Sequence, residues 1–453
     1  MERIGGEGEG QTSSIRQVAL ASFIGTAIEW YDFFLYGTAA ALIFGALFFP
    51  EATPLGGTLL AFGTYGVGFF ARPVGGIIFG HYGDRIGRKT MLVLSLLIMG
   101  VATFLIGLLP TFQSVGVLAP ILLVVLRLFQ GIGVGGEWGG AVLMAVEHAP
   151  EGRRGFYGSW PQMGVPAGLL LANVVFFISS TAMSEEQFLA WGWRIPFLLS
   201  IILIGVGLFI RLRIMETPAF TQVQESGTEA NMPILDVLRT YPKNVLLAMG
   251  MRIAENGTFY ILTAFVLTYV TQELGLEQEV GLRGVIIAAI IGLATIPLFG
   301  ALSDRVGRRP VYLFGAAFSL LFAFPFFWLL NTGIEPLIWL AIVLGVNLGH
   351  DSMYGPQAAY FSELFGTRVR YSGASLGYQL ASVLAGGLSP LIAVALLGGY
   401  GYVAVAVYMA FMALITVISV LLASETFRED ILGTQGEERR LVAEGPGREP
   451  GTP

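Results

Sequence analysis

The sequence predicts an all-α polytopic membrane protein with twelve transmembrane helices in two pseudo-symmetric six-helix halves. Of 453 residues, 55% are hydrophobic and only 12% are charged, and the mean hydropathy is +0.72. A soluble domain carries about 25% charged residues, so this composition excludes an ordinary soluble protein. Apolar runs of about 20 residues, the length that crosses a bilayer, follow one another along the chain. A charged motif, Asp-Arg-x-Gly-Arg, occurs at Asp84 and again at Asp304, which indicates an internal duplication.

The elements follow from the apolar runs and the breaks between them. The first six spans are predicted at 17–48, 56–80, 90–110, 116–146, 155–180 and 190–213. The second six are predicted at 243–271, 283–302, 310–331, 335–363, 370–398 and 401–423. The corresponding regions are a tail (1–16), a first half (17–213), a linker (214–241), a second half (242–423) and a disordered tail (424–453). Residues 1–14 contain no apolar run, so no signal peptide is expected.

Each charged motif lies between two apolar runs and is therefore predicted to form a short turn. Its Asp can accept hydrogen bonds from backbone N–H groups at a helix start, while its cations are expected on the membrane surface. Arg72 precedes the first motif and is expected to brace it. The residues assigned to conformational gating are Arg72, Asp84, Arg85, Arg88, Glu147, Asp304, Arg305, Arg308 and Glu363.

The two halves match beyond this motif. EHAPEGRRGFYGS, from Glu147, aligns with ELFGTRVRYSGAS, from Glu363, at an offset of 216 residues. METPAF around Glu216 aligns with SETF around Glu425. The basic turns fall almost entirely on one side of the predicted spans, with Arg283 as the exception. The positive-inside rule therefore places both termini and the 214–241 linker in the cytoplasm.

Ionisable residues inside apolar spans are costly, which makes them candidate functional residues. They concentrate in spans 1, 4, 7 and 10, so these four helices are expected to surround one polar cavity. The candidates for proton coupling are Glu29, Asp32 and Glu137. The candidates for substrate binding are Arg127, Arg252, Glu255, Asn256, Tyr260, His350, Asp351, Tyr354 and Gln357.

The acidic candidates in the first half have alternatives. Glu29 and Asp32 are three residues apart on one helix face, and two such carboxylates do not both ionise cheaply in a desolvated cavity. One of them, preferably Asp32, is therefore expected to carry the transported proton. Alternatively, the two carboxylates form a structural cluster with Arg127. Glu137 is equally interpretable as a gate or as a helix-packing partner.

The other candidates have alternatives too. Arg127 is expected to hold a substrate carboxylate by charge-assisted hydrogen bonds. Arg252 and Glu255, three residues apart, alternatively neutralise each other and leave substrate contact to Asn256 and Tyr260. His350 beside Asp351 suits a proton relay, or is a histidine with a purely structural role. The glycines of span 4, and Gly355–Pro356 in span 10, either bend their helices or allow close packing.

Five stretches carry a family resemblance: IGTAIEWYDFFLYG (24–37), RPVGGIIFGHYGDRIGRK (72–89), RLFQGIGVGGEWGGA (127–141), WGWRIPF (191–197) and YGPQAAYFSELFGTRVRYSGASLGYQLA (354–381). They resemble the major facilitator superfamily and, within it, the metabolite:proton symporters. The resemblance covers about residues 17–427 and implies the major facilitator fold. Carriers of that group take osmolytes such as proline and betaine, 2-oxoglutarate, citrate or shikimate. The segments YGPQAAYFSELF and RYSGASLGYQLAS are more similar to the shikimate and general metabolite branches than to the dicarboxylate branch.

The expected function is secondary active transport in the cell membrane: proton-coupled uptake of a small organic acid or zwitterion by a monomer using alternating access. A proton-coupled exporter is the alternative, and a membrane-embedded enzyme is a remote one. Zero cysteines and three separated histidines leave no expected metal site, and a Walker A motif is absent, so no cofactor is expected. The expected partners are substrate, protons and lipid, and not nucleic acid.

Overall fold

The computed structural model describes residues 15–52, 54–213, 221 and 233–428. Within these ranges the chain forms helices and no strand. Twelve long helices are numbered here in chain order. They are α1 (Ile15–Ala39), α2 (Pro54–Ile86), α3 (Arg88–Gly107), α4 (Leu118–Glu147), α5 (Arg154–Thr181), α6 (Glu185–Leu212), α7 (Pro242–Glu273), α8 (Glu279–Val306), α9 (Arg308–Leu330), α10 (Glu335–Glu363), α11 (Arg370–Tyr400) and α12 (Tyr402–Leu422).

The length and hydropathy of these helices confirm the predicted fold class. Eleven of them are long and apolar enough to cross a membrane. The twelfth, α2, has 33 residues and at 1.5 Å per residue also exceeds the thickness of the hydrocarbon core. The protein is therefore a multi-pass membrane protein, and its described residues form six long helices before position 214 and six long helices after position 232.

The charged motifs differ from the predicted turns in their local structure. Asp84 and Arg85 belong to the last helical turn of α2, and Arg88 already begins α3. Gly87 alone separates the two helices, with a φ of 125°, and Gly307 does the same between α8 and α9 with a φ of 107°. A residue with a Cβ is strained at such angles, so the glycine of each motif is what ends the helix.

Glycines also set the closest helix contacts. A Cβ on Gly75 of α2 would lie 2.0 Å from the Ile132 carbonyl oxygen of α4, and one on Gly135 would lie 2.1 Å from the Arg72 carbonyl oxygen. On α10, a Cβ on Gly355 would lie 2.5 Å from the Ile296 carbonyl oxygen of α8. For these glycines the structure favours close packing over helix bending.

Several helices contain π-helical turns, in which hydrogen bonds span five residues. Two of them adjoin buried polar residues: Ile261–Phe265 directly follows Tyr260 in α7, and Leu344–His350 ends at His350 in α10. A third, Ser382–Gly387, lies in α11. Such turns are rare in proteins, and those that occur are often found at functional sites.

The predicted linker and tail need adjustment. Pro233–Thr240, inside the predicted linker, forms a short helix whose Val237 is fully buried. The predicted disordered tail begins too early, because Glu425 accepts hydrogen bonds from the backbone N–H groups of Arg308 (2.9 Å) and Arg309 (3.0 Å). Residues 1–14, Glu216 and the tail after Arg428 lie outside the described residues.

Candidate functional site

The charged residues expected in the cavity are all buried; apart from Glu137, and joined by Arg72, they form two clusters, one in each half. The amino-terminal cluster consists of Glu29, Asp32, Arg72 and Arg127. The carboxy-terminal cluster consists of Arg252, Glu255, His350 and Asp351. None of these side chains is more than 4% exposed.

Arg127 lies among aromatic rings. Its guanidinium carbon is 4.8 Å from the ring centre of Phe33, 4.3 Å from Tyr36 and 4.9 Å from Tyr65. One nitrogen, Nη1, donates to Gln130 Oε1 at 3.1 Å, whereas Nε has no hydrogen-bond partner among the described residues. No acidic side chain of the described chain lies within ion-pair distance of it. A Cβ on Gly68 would lie 2.6 Å from Nε, so Gly68 provides the space for this side chain.

Arg72 lies in the same cluster and not at the charged motif. Asp84 lies twelve positions further along α2 than Arg72, which is about 18 Å along the helix axis. Its Nε donates to Gln379 Oε1 of α11 at 3.1 Å, a bond between the two halves, and its Nη1 has no partner in the described chain. Its guanidinium carbon lies 5.5 Å from the ring centre of Phe69. The expectation that Arg72 braces the motif is therefore wrong, because α2 continues so far beyond it.

The two carboxylates of α1 do not pair with Arg127. Neither oxygen of Asp32 has a hydrogen-bond partner among the described residues, and Glu29 Oε2 also has none. Thr103 of α3 is the polar neighbour of Asp32. Gln130 donates to Thr103 at 2.7 Å and accepts from Arg127, so these two side chains link Arg127 to the polar neighbour of Asp32.

Glu137 is held within the first half. It forms an ion pair with Arg211 of α6 and accepts a hydrogen bond from Ser95 of α3 at 3.3 Å. Arg211 also donates to the Leu92 carbonyl oxygen. Glu137 therefore joins α3, α4 and α6, which favours the helix-packing interpretation. Sequence reasoning missed Arg211 because it lies at the end of its span and 74 residues away.

In the second half, Arg252 has several side-chain partners. Its Nη1 donates to Glu255 Oε2 at 2.6 Å and to Gln357 Oε1 at 3.0 Å, and its Nε donates to Ser382 at 3.2 Å. Its guanidinium carbon lies 3.2 Å from the ring centre of Tyr378. The expected pair of Arg252 and Glu255 is thus present.

Glu255 continues this chain of contacts to α10. Its Oε1 lies 3.2 Å from His350 Nε2, and His350 Nδ1 lies 2.9 Å from Asp351 Oδ1. The other oxygen of Asp351 accepts from Asn347 at 2.8 Å and from Thr295. The structure therefore brings two carboxylates to the two ring nitrogens of one imidazole.

The remaining substrate candidates all come from the second half, on α7 and α10. Asn256 Oδ1 and the Tyr260 hydroxyl are buried without partners in the described chain, as is the Tyr378 hydroxyl. The rings of Tyr260 and Phe69 meet across the halves at 5.6 Å between centres. Tyr354 packs on His350, with ring centres 4.8 Å apart. Gln357 donates to Glu255 and to Tyr312, so it belongs to the satisfied network.

The first charged motif joins the two halves. The carboxylate of Asp84 accepts from the backbone N–H groups of Tyr371 (3.2 Å) and Ser372 (2.9 Å), at the start of α11. Arg88 forms an ion pair with Glu147, which also accepts from Arg370 of α11 at 2.8 Å.

The second motif makes the equivalent contacts. Asp304 accepts from the backbone N–H groups of Gly155 and Phe156, both at 2.8 Å, at the start of α5. Arg308 donates to Asp304 at 2.7 Å and to both oxygens of Glu363 at 3.2 and 3.1 Å. The backbone donors in the two halves, Gly155 and Tyr371 and likewise Phe156 and Ser372, differ by 216 residues, the same offset as the sequence match.

The motif residues divide by helix face. Asp84, Arg88 and Arg308 are no more than 2% exposed, contrary to the expected surface positions, because they lie between the two halves. Arg85 and Arg305, each one residue further round its helix, are exposed, and neither joins the contacts between halves. We call the end of the bundle that holds Asp84 and Asp304 the motif end; its helices are closed together in this structure.

Comparison with known proteins agrees with this architecture. The family model described as Major Facilitator Superfamily matches residues 22–390. The shikimate transporter of Escherichia coli K12 is 45% identical over 93% of this chain and 97% of its own length. The proline/betaine transporter of the same strain is 35% identical over 92% of this chain and 85% of its own length. The proton:xylose symporter XylE, solved with a bound bromodeoxyglucose, superposes with a TM-score of 0.75 at 17% identity, over 93% of this chain and 98% of its own.

These matches extend through both halves and both charged motifs. The relatives are transporters, which confirms the expectation of a transporter over a membrane-embedded enzyme. The solved structure, at its low identity, supports the fold alone. The chain belongs to the major facilitator superfamily.

Proposed function

We propose that the protein takes up a small organic acid, as its carboxylate anion, together with a proton. The observation that carries this proposal is the set of buried polar atoms without partners at the amino-terminal cluster. Arg72 and Arg127 each keep an unpaired N–H group, and Asp32 keeps both oxygens unpaired. Buried polar groups are normally satisfied within the protein, so a group of unsatisfied ones is a reasonable place for a ligand.

The charges at this cluster favour an anion. Arg72 and Arg127 balance Glu29 and Asp32 when both carboxylates are ionised. An added substrate carboxylate brings an uncompensated negative charge into a buried site, and that is costly. A proton on Asp32 compensates it, so one anion and one proton enter together. The unpaired carboxylate oxygens of Asp32 supply the proton site, and the unpaired guanidinium N–H groups supply the anion site.

A zwitterion such as proline or betaine is the second candidate, because one relative carries these compounds. Aromatic rings do attract quaternary ammonium groups. Here, however, the faces of Phe33, Tyr36 and Tyr65 already surround the guanidinium of Arg127, which repels a second cation. A zwitterion's cationic group therefore finds no free ring face at Arg127, and the shikimate transporter is the more similar relative.

Transport is proposed to proceed by alternating access of a monomer in the cell membrane. The basic residues at the motif end support a cytoplasmic position for that end and for both termini. The contacts of Asp84 and Asp304 with the opposite half then hold the cytoplasmic side closed while substrate enters from outside. Their release is the step that admits substrate to the cytoplasm.

The experiment is uptake into proteoliposomes with an alkaline interior. Labelled shikimate should accumulate above its external concentration, and labelled glycine betaine, proline and 2-oxoglutarate should accumulate much less. Collapse of the pH gradient with a protonophore should abolish accumulation. Accumulation driven by an acidic interior would instead support the export alternative, and preferred uptake of betaine would contradict the anion proposal.

A further inference from the structure

The carboxy-terminal cluster is not needed for the anion site, because its polar atoms already have partners. Its arrangement is nevertheless unusual, since one imidazole is held between two carboxylates. We infer that His350, held between Glu255 and Asp351, is a second proton site, loaded from a cavity between α5 and α8 and emptied in each transport cycle. The transport experiment that tests this inference rests on the proposed uptake, whereas a second experiment, which measures the protonation of His350 directly, does not.

The charge of the cluster requires a proton. The charged groups around His350 are Glu255 and Arg252 from α7 and Asp351 from α10. The remaining neighbours are uncharged: Thr295 from α8, apolar side chains from α5, and three phenols, Tyr354 of α10 itself, Tyr312 of α9 and Tyr378 of α11. With a neutral imidazole the cluster carries one net negative charge, and with an imidazolium it carries none. A buried net charge is costly, so the closed state holds the proton.

The hydrogen-bond geometry leads to the same conclusion. A neutral imidazole has one N–H donor and one acceptor lone pair, whereas an imidazolium has two donors. Here Nδ1 lies 2.9 Å from Asp351 Oδ1, and Nε2 lies 3.2 Å from Glu255 Oε1. A neutral His350 would set a lone pair against one of these carboxylate oxygens. Only the imidazolium presents an N–H group to both oxygens.

A small cavity adjoins this imidazole and has His350 and Asp351 in its wall. Its other walls are apolar and come from both halves, for example Val165 and Leu169 of α5 and Ala289 of α8. A cavity in the seam between two rocking halves changes its access when they move. The π-helical turn Leu344–His350, which ends at the imidazole, provides a place where α10 can rearrange locally.

Two proton sites change the charge moved in each cycle. One anion with one proton, held at the amino-terminal cluster, is electroneutral. A second proton at His350 makes uptake electrogenic, with one net positive charge entering per anion. The number of charges therefore reports whether the second site participates.

Uptake of labelled shikimate can be measured at fixed pH gradient while a potassium gradient and valinomycin set the membrane potential. For one net charge, about 59 mV (inside negative) raises steady-state accumulation tenfold. The wild-type protein should show this dependence. His350→Gln should still accumulate shikimate with the pH gradient, at whatever rate, but with no dependence on potential. Wild-type accumulation that ignores the potential would overturn the inference and leave the proposed uptake intact.

A second measurement does not depend on the substrate. The chain has three histidines, so ¹⁵N-histidine NMR in nanodiscs gives three imidazole sets, and His350→Gln assigns one of them. That set should be imidazolium at pH 7 in the wild type. It should become neutral in Glu255→Gln and in Asp351→Asn, since each removes the charge that the proton balances. A neutral His350 in the wild type at pH 6–7 would overturn the inference, even if shikimate is not transported.

Discussion

Buried arginines in this protein have different roles according to how many of their donors are satisfied. A guanidinium has five N–H groups, and each one buried without a partner costs roughly 1–3 kcal/mol. Arg252 and Arg308 donate to carboxylates and neighbouring side chains, and both act within the protein. Arg72 and Arg127 have no carboxylate partner in the described chain and keep unpaired donors in contact with aromatic rings. The unsatisfied arginines are therefore the ones we assign to the substrate.

Replacing Arg127 with lysine tests this assignment. Lysine keeps the charge but lacks the planar set of donors that binds both oxygens of a carboxylate. Arg127→Lys should therefore raise the apparent KM for shikimate at least about tenfold, a loss of about 1.4 kcal/mol, at normal expression. Arg283→Lys is the matched control, because Arg283 is exposed and its ion-pair partner in the described chain is the exposed Glu279. An unchanged KM in Arg127→Lys would assign Arg127 to structure.

Asp32 and Glu137 give opposite expectations although both are buried acids in the first half. Asp32→Asn should abolish accumulation driven by the pH gradient and spare counterflow, which needs no net proton movement. Glu137→Gln leaves Arg211 buried without its anion, a change that costs about 3–5 kcal/mol, so it should lower the melting temperature strongly. Transport by reconstituted protein and thermal unfolding measure the two effects. If Asp32→Asn loses counterflow as well, Asp32 binds substrate or supports folding.

At the scale of helices, each charged motif joins the end of one helix to the start of another in the opposite half. The first N–H groups of a helix have no partner within it and carry the positive end of the helix dipole. Asp84 fills this position for α11 and Asp304 does so for α5. Because these contacts cross between the halves, they exist only while the motif end is closed. The two motifs therefore stabilise the closed state through four charge-assisted hydrogen bonds.

Asp84→Asn should weaken this closure. An amide has one oxygen to offer and no charge, and hydrogen bonds to charged groups are worth about 1.5–3 kcal/mol each. A loss of about 2 kcal/mol shifts the equilibrium between states roughly 30-fold towards opening. The maximal uptake rate should fall about tenfold at normal expression, and Asp304→Asn should have a similar effect. Arg305→Gln, on an exposed side chain outside these contacts, should transport normally; normal transport by Asp84→Asn would exclude the gating role.

At the scale of the whole molecule, the sequence predicts the fold well because span length and internal repetition are local properties of the chain. The number of helices follows from the apolar runs. The equivalent positions of Glu147 in the first half and Glu363 in the second follow from the internal repeat. Burial of Arg88 and Arg308 does not follow, because the positive-inside rule selects a side of the membrane and says nothing about the surface between two halves.

The site could be predicted only in part for the same reason. The ionisable residues of spans 1, 4, 7 and 10 identify the right helices, but their partners depend on depth and on contacts over long sequence distances. Arg72 is placed at the cluster by the full length of α2, and Glu137 is neutralised by Arg211 from another helix. Neither the position of Arg72 nor the partner of Glu137 can be recognised in a single sequence, because both depend on how the helices pack against one another.

The last prediction concerns the relative motion of the two halves. The chain has no cysteine, so Arg85→Cys and Arg305→Cys place two spin labels without background, one on each half at the motif end. Both native side chains are exposed and lie outside the contacts between the halves, so the labels should not disturb closure. The closed arrangement should give a short distance in double electron–electron resonance. Adding Asp84→Asn removes one of the two helix-start contacts, so a longer distance should gain population. If the distribution in the Asp84→Asn background matched that of the parent pair, the carboxylate would not hold the halves together, and slow transport in Asp84→Asn would need another cause.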